Sequence, residues 1–236
     1  MPLNKPVPLY PPYIDLCDFD LEDYPELNTI FTSNEPWWFE QFNWGTIFLT
    51  YIGKNKSAHT YDRFRNDVER FLLWAFIEKK KPIDQLRKSD FLEYADFCWH
   101  PPVTWIGTSN QERFKITNGY SSANEHWFPF KIQSPKSQKA NYVVDKKKYR
   151  PSQQTLTSMF TAIIAFYNYL MAEDFCVGNP AQIAKKDCRH FIIDSQVKEI
   201  KRLTATQWQY VLDTVVDMAD EDPKFERNLF VIAALK

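Results

Sequence analysis

One segment in the second half of the chain restricts the fold more than any other, because its apolar residues recur at helical spacing over residues 152–170. The apolar positions are Leu156, Phe160, Ile163, Tyr167 and Leu170. This spacing places them on one face of an α-helix, which must be buried against other elements. Pro151 and Ser152 precede the segment, as is typical of a helix start. The segment therefore predicts a long amphipathic helix in a helical core.

Two segments nearer the N-terminus have the same period. Residues 37–53 predict a helix that stops at Gly53. Residues 57–80 predict the next helix, with Ser57 as its N-cap and Pro82 beyond its end. Both patterns predict helices that pack against the long one.

Shorter helical patterns complete the reading of the chain. Residues 88–99 predict a short helix capped by Ser89, and residues 204–220 and 223–236 predict two more. Neither repeats nor strong strand alternation occurs in the sequence outside residues 100–150. The fold class is therefore expected to be mainly α.

Composition narrows the classes of function. Of the 236 residues, 44% are apolar, which is enough to bury a core, and five are glycines. The sequence has no GxGxxG or GxxxxGK[ST] motif, which argues against a phosphate-binding loop. It also has no signal-peptide pattern and no apolar run long enough to cross a bilayer. We therefore expect a cytoplasmic protein that does not contact a membrane and needs no cofactor.

The four cysteines do not form a CxxC pair and are expected to be reduced and partly buried. Two Cys-x-His pairs, Cys98 with His100 and Cys188 with His190, leave a zinc site as an alternative. Their spacing is not that of a zinc knuckle, so it gives the zinc site little support.

Charge is distributed unevenly, although the formal net charge is −1. Residues 1–35 carry seven carboxylates and one lysine, a balance of −6. Residues 101–150 carry nine Lys or Arg and three carboxylates, a balance of +6. A ligand responds to the local field, so the total charge does not exclude a nucleic-acid partner.

These patterns predict five parts of the chain. Residues 1–34 are a Pro-rich acidic arm, either extended or packed as an added cap. Residues 35–184 form a helical domain with a long irregular insert at 100–150, whose aromatic residues indicate partial packing, for example as a small hairpin. A polar, basic linker at 185–202 leads to a second helical unit at 203–236.

Four motifs follow one another in order. The first is a helix start with Ser-x-x-Thr, then aromatic-Arg-x-Asp and Phe, carried by Thr60, Phe64, Arg65, Asp67 and Phe71. The second is carried by Leu86, Ser89, Asp90 and Tyr94. The third is a Ser-x-x-Thr start, a Phe-Tyr-x-Tyr-Leu helix end and an Asn-Pro, carried by Ser152, Thr155, Phe166, Tyr167, Tyr169, Leu170, Asn179 and Pro180. The fourth is the stretch KRLTATQWQYVLD.

Over residues 45–100 and 150–236 these motifs resemble the tyrosine recombinase (phage integrase) family. The resemblance implies a SAM-like helical-bundle core-binding domain that clamps duplex DNA, followed by the first helices of a catalytic domain. It also implies self-association as a tetramer on DNA and a place on the bacterial nucleoid. Such enzymes cut and rejoin DNA through a tyrosine nucleophile and belong to mobile elements.

The end of the sequence fits this resemblance. The pattern of residues 223–236 continues to Lys236 without a Gly, Asn or Pro stop. In the family the corresponding helix leads to the first catalytic arginine. We therefore expect a fragment that lacks the catalytic residues and is inactive alone, and no residue of this chain is assigned a catalytic role.

The candidate DNA contacts lie opposite the apolar faces and in the basic stretches. They are His59, Thr60, Arg63, Asn66, Arg70, Lys147, Lys148, Arg150, Ser152, Gln153, Gln154, Thr157, Ser158, Lys201 and Arg202. Basic side chains and helix N-termini bind phosphates, and amides can read base edges. The helix at 152–170 departs from the family, since Ser158, Met159 and Ile164 replace its usual basic residues.

An alternative is a helical protein–protein interaction module that does not bind DNA. Residues 100–150 and the aromatic cluster Trp37, Trp38 and Phe39 are its candidate contacts. Salt-dependent binding to duplex DNA discriminates between the two hypotheses.

Overall fold

A computed structural model describes residues 5–117, 119–132, 144–191 and 203–234 of the chain. The chain divides into two compact units, Met1–Ile193 and Asp194–Lys236. Both are mainly helical, as the periodicity predicts.

The first unit is a bundle of helices with four short strands. The helices are α1 (Tyr13–Cys17), α2 (Pro25–Ser33), α3 (Pro36–Asn55), α4 (Ala58–Trp74), α5 (Lys88–Trp99), α6 (Gln153–Ala172) and α7 (Pro180–Asp187). The strands are β1 (Ile106–Gly107), β2 (Phe114–Thr117), β3 (Tyr120–Ala123) and β4 (Phe130–Lys131). Short 3-10 turns cover Leu21–Asp23, Ile83–Gln85, Val103–Trp105, Lys146–Lys148 and Arg189–Phe191.

Helix α6 lies at the centre of the core, and its predicted inner face is confirmed. The five apolar residues that predicted it are each at most 1% exposed. Ser152 caps the helix, because its Oγ accepts a hydrogen bond from the Thr155 amide at 3.0 Å. In length and composition α6 is also apolar enough to span a membrane. A core helix meets the same test, and the inner face of α6 is buried in the bundle.

Helix α4 is capped by Ser57 as predicted, and it ends in a π-helical turn at Ala75–Lys79. Two other predicted boundaries are wrong. Helix α3 runs past Gly53 to Asn55, since a single glycine weakens a helix without ending it. Helix α5 begins at Lys88, and its cap is the Asp90 carboxylate, not Ser89.

The Asp90 carboxylate holds the start of α5 against the end of α4. It accepts hydrogen bonds from Lys79, Lys81 and the Arg87 amide at 2.7–2.8 Å. Burial opposes the charged form, but these donors outweigh it and lower the pKa of Asp90 from 3.8 to about 2. The carboxylate is therefore more stable in the folded chain than in the unfolded one.

This pKa shift predicts an acid-sensitive part of the stability. A carboxyl whose folded pKa lies below its unfolded pKa stabilises the fold above about pH 4, and this contribution is lost as the pH falls toward 2. We expect Asp90→Asn to reduce the free energy of unfolding at pH 7 by about 2 kcal/mol. The difference from wild type should shrink between pH 4 and pH 2 in urea titrations. Asp187→Asn, at a half-exposed ion pair with Lys88, should change stability little. Equal effects of Asp90→Asn and Asp187→Asn would contradict this stabilising role of the Asp90 carboxylate.

The acidic N-terminal arm is packed, so the extended alternative is wrong for its described residues. The side chains of Leu9, Tyr10, Leu16, Leu27 and Phe31 are at most 5% exposed. The Tyr10 ring stacks on Phe42 of α3 at 4.9 Å between centroids. The carboxylates of the arm face outward, which reconciles its acidic composition with a buried apolar side.

The described part of residues 100–150 packs on α4 and α5. Strands β2 and β3 form the expected antiparallel hairpin, and β1 pairs with β4 in parallel. Trp105, Trp127, Phe130 and Tyr149 are buried. Aromatic side chains thus anchor this irregular segment to the bundle.

The predicted linker at 185–202 begins too early. Residues 185–187 end α7, and the following turn buries Cys188 and His190 in the bundle. Pro180 begins α7, and Asn179 caps it. The remainder of the predicted linker, 192–202, lies outside the described residues.

The second unit contains α8 (Ala205–Glu221) and α9 (Glu226–Ala233), joined by a 3-10 turn at Pro223–Phe225. Thr204 and Gln207 form a capping box at the start of α8. Between residues 203 and 234 every side chain remains at least partly exposed. The most exposed apolar residues there are Leu203, Tyr210, Val216, Phe230 and Val231.

Candidate nucleic-acid interface

The α4 residues expected to form one polar stripe have different environments. His59 and Arg63 are exposed near the start of the helix. Thr60 is half-buried, and its hydroxyl lies 2.9 Å from the Ser57 hydroxyl. Asn66 is occupied, because its side-chain oxygen accepts a hydrogen bond from Arg113. The stripe is therefore open to solvent mainly in its first half.

Arg70 does not lie on a solvent-facing surface, which corrects the expectation from spacing. It is 7% exposed, and its guanidinium donates to the Pro129 carbonyl at 2.9 and 3.2 Å. Its third donor meets the Asp67 carboxylate at 2.7 Å, and the group lies 4.8 Å from the centre of the Phe130 ring. Residues 129–130 cover this part of α4, so Arg70 anchors them instead of facing a ligand.

The candidate residues at the start of α6 surround its N-terminus. Lys147, Lys148 and Arg150 are exposed in the segment before the helix. Gln153 and Gln154 are exposed in the first turn, and Thr157 and Ser158 are half-buried one turn later. Ser152 caps the helix, as described above. Unpaired backbone N–H groups and the helix dipole favour an anion at such a position.

These two groups of candidate residues lie at opposite ends of the α4–α6 pair. Phe64, near the start of α4, and Tyr169, near the end of α6, pack against the same phenylalanine of α3 at 5.9 and 5.4 Å. At the other end, Trp74 contacts Tyr94 at 5.0 Å, and Tyr94 contacts Phe160 at 5.8 Å. The helices are therefore antiparallel. A ligand bound at the N-terminus of α4 does not reach the N-terminus of α6.

Helix α7 and the turn after it bring further cations to the first half of α6, and Arg189 of that turn acts on the same His100 as Arg150, which precedes α6. Lys185 lies 3.4 Å from the Thr161 hydroxyl, and the Phe191 ring packs on Phe160 at 4.8 Å. We name this surface the basic end. It comprises Lys146, Lys147, Lys148, Arg150, Lys185, Lys186 and Arg189.

Electrostatics at the basic end are consistent with a positive field. Desolvation and the neighbouring Arg150, His190 and Arg189 lower the pKa of His100. The nearby Asp96 is already engaged, since it lies 2.6 Å from the buried His190 ring and 3.4 Å from Arg189. The hydrogen bond from His190 lowers the pKa of Asp96 and keeps it ionised. Within the part of the chain that the structure describes, most lysines of the basic end have no carboxylate partner and are open to an anionic ligand.

Sequence reasoning missed the buried charges of α4. Glu69 is fully buried, accepts hydrogen bonds from the Leu9 and Tyr10 amides at 2.6 and 3.1 Å, and forms an ion pair with Arg113. A signal existed, because the row Tyr61, Arg65, Val68 and Glu69 interleaves charges with apolar positions of the inner face. The pattern does not show which residues these buried charges pair with.

Burial raises the pKa of the Cys98 thiol to about 12, which disfavours the thiolate that zinc requires. Among the residues described, no group of three or more His, Cys, Asp or Glu could hold a metal ion. Lys201 and Arg202, also candidate contacts, lie outside the described residues.

Comparisons of the chain with protein-family models, curated proteins and solved structures give no match.

Proposed function

We propose that this chain binds duplex DNA through the basic end, as the core-binding part of a protein related to the tyrosine recombinases. The observation that carries the proposal is the convergence of the segment 146–150 and the end of α7 around the start of α6. Seven cations lie on these segments, of which Lys185 contacts Thr161 of α6 and Arg150 and Arg189 both act on His100. Phosphate contacts of this kind supply most of the sequence-independent affinity of DNA-binding proteins.

The motif order supports the recombinase relationship within this proposal. Both Ser-x-x-Thr starts act as helix caps, and the Phe-Tyr-x-Tyr-Leu stretch packs in the core. We propose a SAM-like bundle in which residues 100–150 are an insert. The described part of that insert covers the middle of α4, so duplex contacts shift from the α4 stripe toward the start of α6.

The second unit fits the same proposal as the beginning of a catalytic domain. The side chains of Tyr210 and Phe230 are 74% and 76% exposed, and apolar surface of this size favours a covering partner. We propose that DNA strand exchange and tetrameric self-association of the whole protein use this surface, and that DNA binding through the basic end places the protein on the nucleoid.

A salt series tests the DNA proposal. Fluorescence anisotropy of the full chain on a mixed-sequence duplex should give an affinity that falls steeply with salt. Each phosphate contact contributes about 0.9 to the slope of log affinity against log salt. Lys147→Ala combined with Lys148→Ala should therefore reduce the slope by about two.

The matched control replaces Lys54 and Lys56 by alanine. Both are exposed lysines at the turn between α3 and α4, beside the start of α4 and away from the basic end. This variant should leave the slope unchanged. If the control and Arg63→Ala reduce the salt slope while the Lys147 and Lys148 variant does not, the interface lies at the start of α4 instead. Absence of binding at 50 mM salt (roughly the low end of the usual range) would overturn the proposal.

An interaction module without DNA binding is the second candidate, and the exposed apolar residues of α8 and α9 favour it. Sedimentation of the chain without DNA separates the candidates. Self-association together with no DNA affinity would support the module.

A further inference from the structure

A cleft of 930 Å³ lies beside the middle of α4. Its walls come from α4, from the N-terminal arm and from the β2–β3 hairpin. Its apolar lining includes Tyr24, Phe114 and Trp127, and two isoleucines at the cleft, Ile14 and Ile116, are 77% and 84% exposed. The volume is within the range of sites for small organic molecules, and the lining combines these apolar residues with a larger number of polar and charged ones.

Arg65 lines this cleft with an incomplete set of hydrogen bonds. The residue is 8% exposed, and one amino group of its guanidinium meets Asp62 at 2.7 Å. Its Nε and Nη1 atoms are buried and have no hydrogen-bond partner in the described part of the chain. Buried donors are nearly always paired in native proteins, so two unpaired donors on one side chain indicate a missing acceptor.

Lys131 supplies a second unpaired cation in the same cleft. Lys131 is an exposed residue that lines the cleft, and its ammonium group has no ion-pair or hydrogen-bond partner among the described residues. Desolvation and the neighbouring Arg113, Arg70 and Arg65 lower the pKa of Lys131. The adjacent arginines have carboxylate partners in Glu69, Asp67 and Asp62, respectively. The cleft as a whole is not short of negative charge, since Asp15, Asp18, Asp23, Asp62 and Glu112 line it beside Arg65, Arg113 and Lys131, so an anion is required only locally, at Arg65 and Lys131.

The acidic residues of the cleft restrict what this anion can be. Asp15, Asp18 and Asp23 of the arm also line it. A duplex carries dense negative charge and would be repelled by these carboxylates, whereas a single acid group can reach the cations between them. The chemistry thus favours one charge on an apolar body over a nucleic-acid backbone.

We propose that this cleft binds a small organic carboxylate, with the acid group at Arg65 and Lys131 and an aromatic or aliphatic body against Tyr24, Phe114 and Trp127. The acid group accepts hydrogen bonds from Nε and Nη1 of Arg65 after a small movement of the arginine side chain. It also forms the ion pair that Lys131 lacks. The site shares no lining residue with the basic end, and the proposal does not depend on DNA binding.

The test uses two probes that differ only in charge, indole-3-acetate and its neutral amide, on the full chain. The reporter is the Trp127 indole N–H signal in a nitrogen-15 correlation spectrum, assigned with Trp127→Phe. We expect the acetate to shift this signal with saturation. The amide should bind at least about ten-fold more weakly, because it cannot form the charge-assisted hydrogen bonds to Arg65 and Lys131.

Two variants locate the charge requirement. Lys131→Ala should weaken the acetate about ten-fold and leave the weak binding of the amide unchanged. Arg65→Lys, which keeps the charge but loses the planar donors, should weaken the acetate as well. The control Lys115→Ala removes an exposed lysine of β2 that does not line the cleft and should not alter binding. Equal binding of both probes, no effect of Lys131→Ala, or no shift of Trp127 would overturn the proposal.

Discussion

Replacing Glu69 by alanine should destabilise the first unit by about 3–5 kcal/mol, the range observed when one partner of a buried ion pair is removed. Its carboxylate is fully buried and joins α4 to two segments that are distant in sequence. One oxygen accepts from the amides of Leu9 and Tyr10 in the arm, and the other pairs with Arg113 before β2. Alanine leaves a buried guanidinium and two backbone donors without their acceptor.

The measurement is urea unfolding followed by tryptophan fluorescence, with Glu93→Ala as the matched control. Glu93 pairs with Lys79, but its side chain is 60% exposed, so its loss should cost less than about 1 kcal/mol. Glu69→Gln should fall between the two, because the amide oxygen can still serve the arm while the ion pair with Arg113 is lost. A loss below about 1 kcal/mol in Glu69→Ala would show that the arm and Arg113 are not held by this carboxylate.

Replacing Gly45 by alanine should destabilise the first unit by about 1–3 kcal/mol, the usual cost of overpacking a core. A β-carbon at position 45 would lie 2.0 Å from the Tyr10 hydroxyl and 3.2 Å from Leu72. The tyrosine cannot easily move aside, because its ring is fully buried, stacks on Phe42 and donates a hydrogen bond to the Phe42 carbonyl at 2.9 Å. The steric cost must exceed the roughly 1 kcal/mol that alanine gains over glycine in a helix.

Gly178→Ala provides the matched control, since a β-carbon there meets nothing within 4 Å. It should leave the free energy of unfolding unchanged or slightly higher. Combining Gly45→Ala with Tyr10→Ala should cost less than the sum of the single variants, because the second change removes the ring that the first one displaces. Additive effects, or a fully stable Gly45→Ala, would contradict the packing of the arm on α3.

Local patterns predicted the helices because their causes are local. The inner face of α6 follows from the 3.6-residue period, and the caps at Ser57 and Ser152 follow from a hydroxyl that reaches an amide three residues later. Ser89 had the same local appearance as these caps. At α5 the carboxylate of Asp90 forms the cap instead, since Lys79 and Lys81 from the preceding segment hold it in place.

The candidate contacts were predicted less well, because exposure depends on what covers a helix. His59 and Arg63 are exposed as their position on α4 suggested, whereas Arg70, on the same stripe, is buried. The difference comes from Pro129 and Phe130, which lie 59 and 60 residues further along the chain. No periodicity within α4 contains that information.

The sequence by itself determined the mainly helical class, the inner faces of α4 and α6 and the positions of the strongest caps, since each depends on neighbours within one or two turns. The tertiary structure alone decided that the acidic arm packs, that Glu69 joins the arm to Arg113, and that Arg150 before α6 and Arg189 after α7 act on the same His100. These features depend on contacts between segments far apart in sequence, where the choice of partner is set by packing and by the need to pair buried charge.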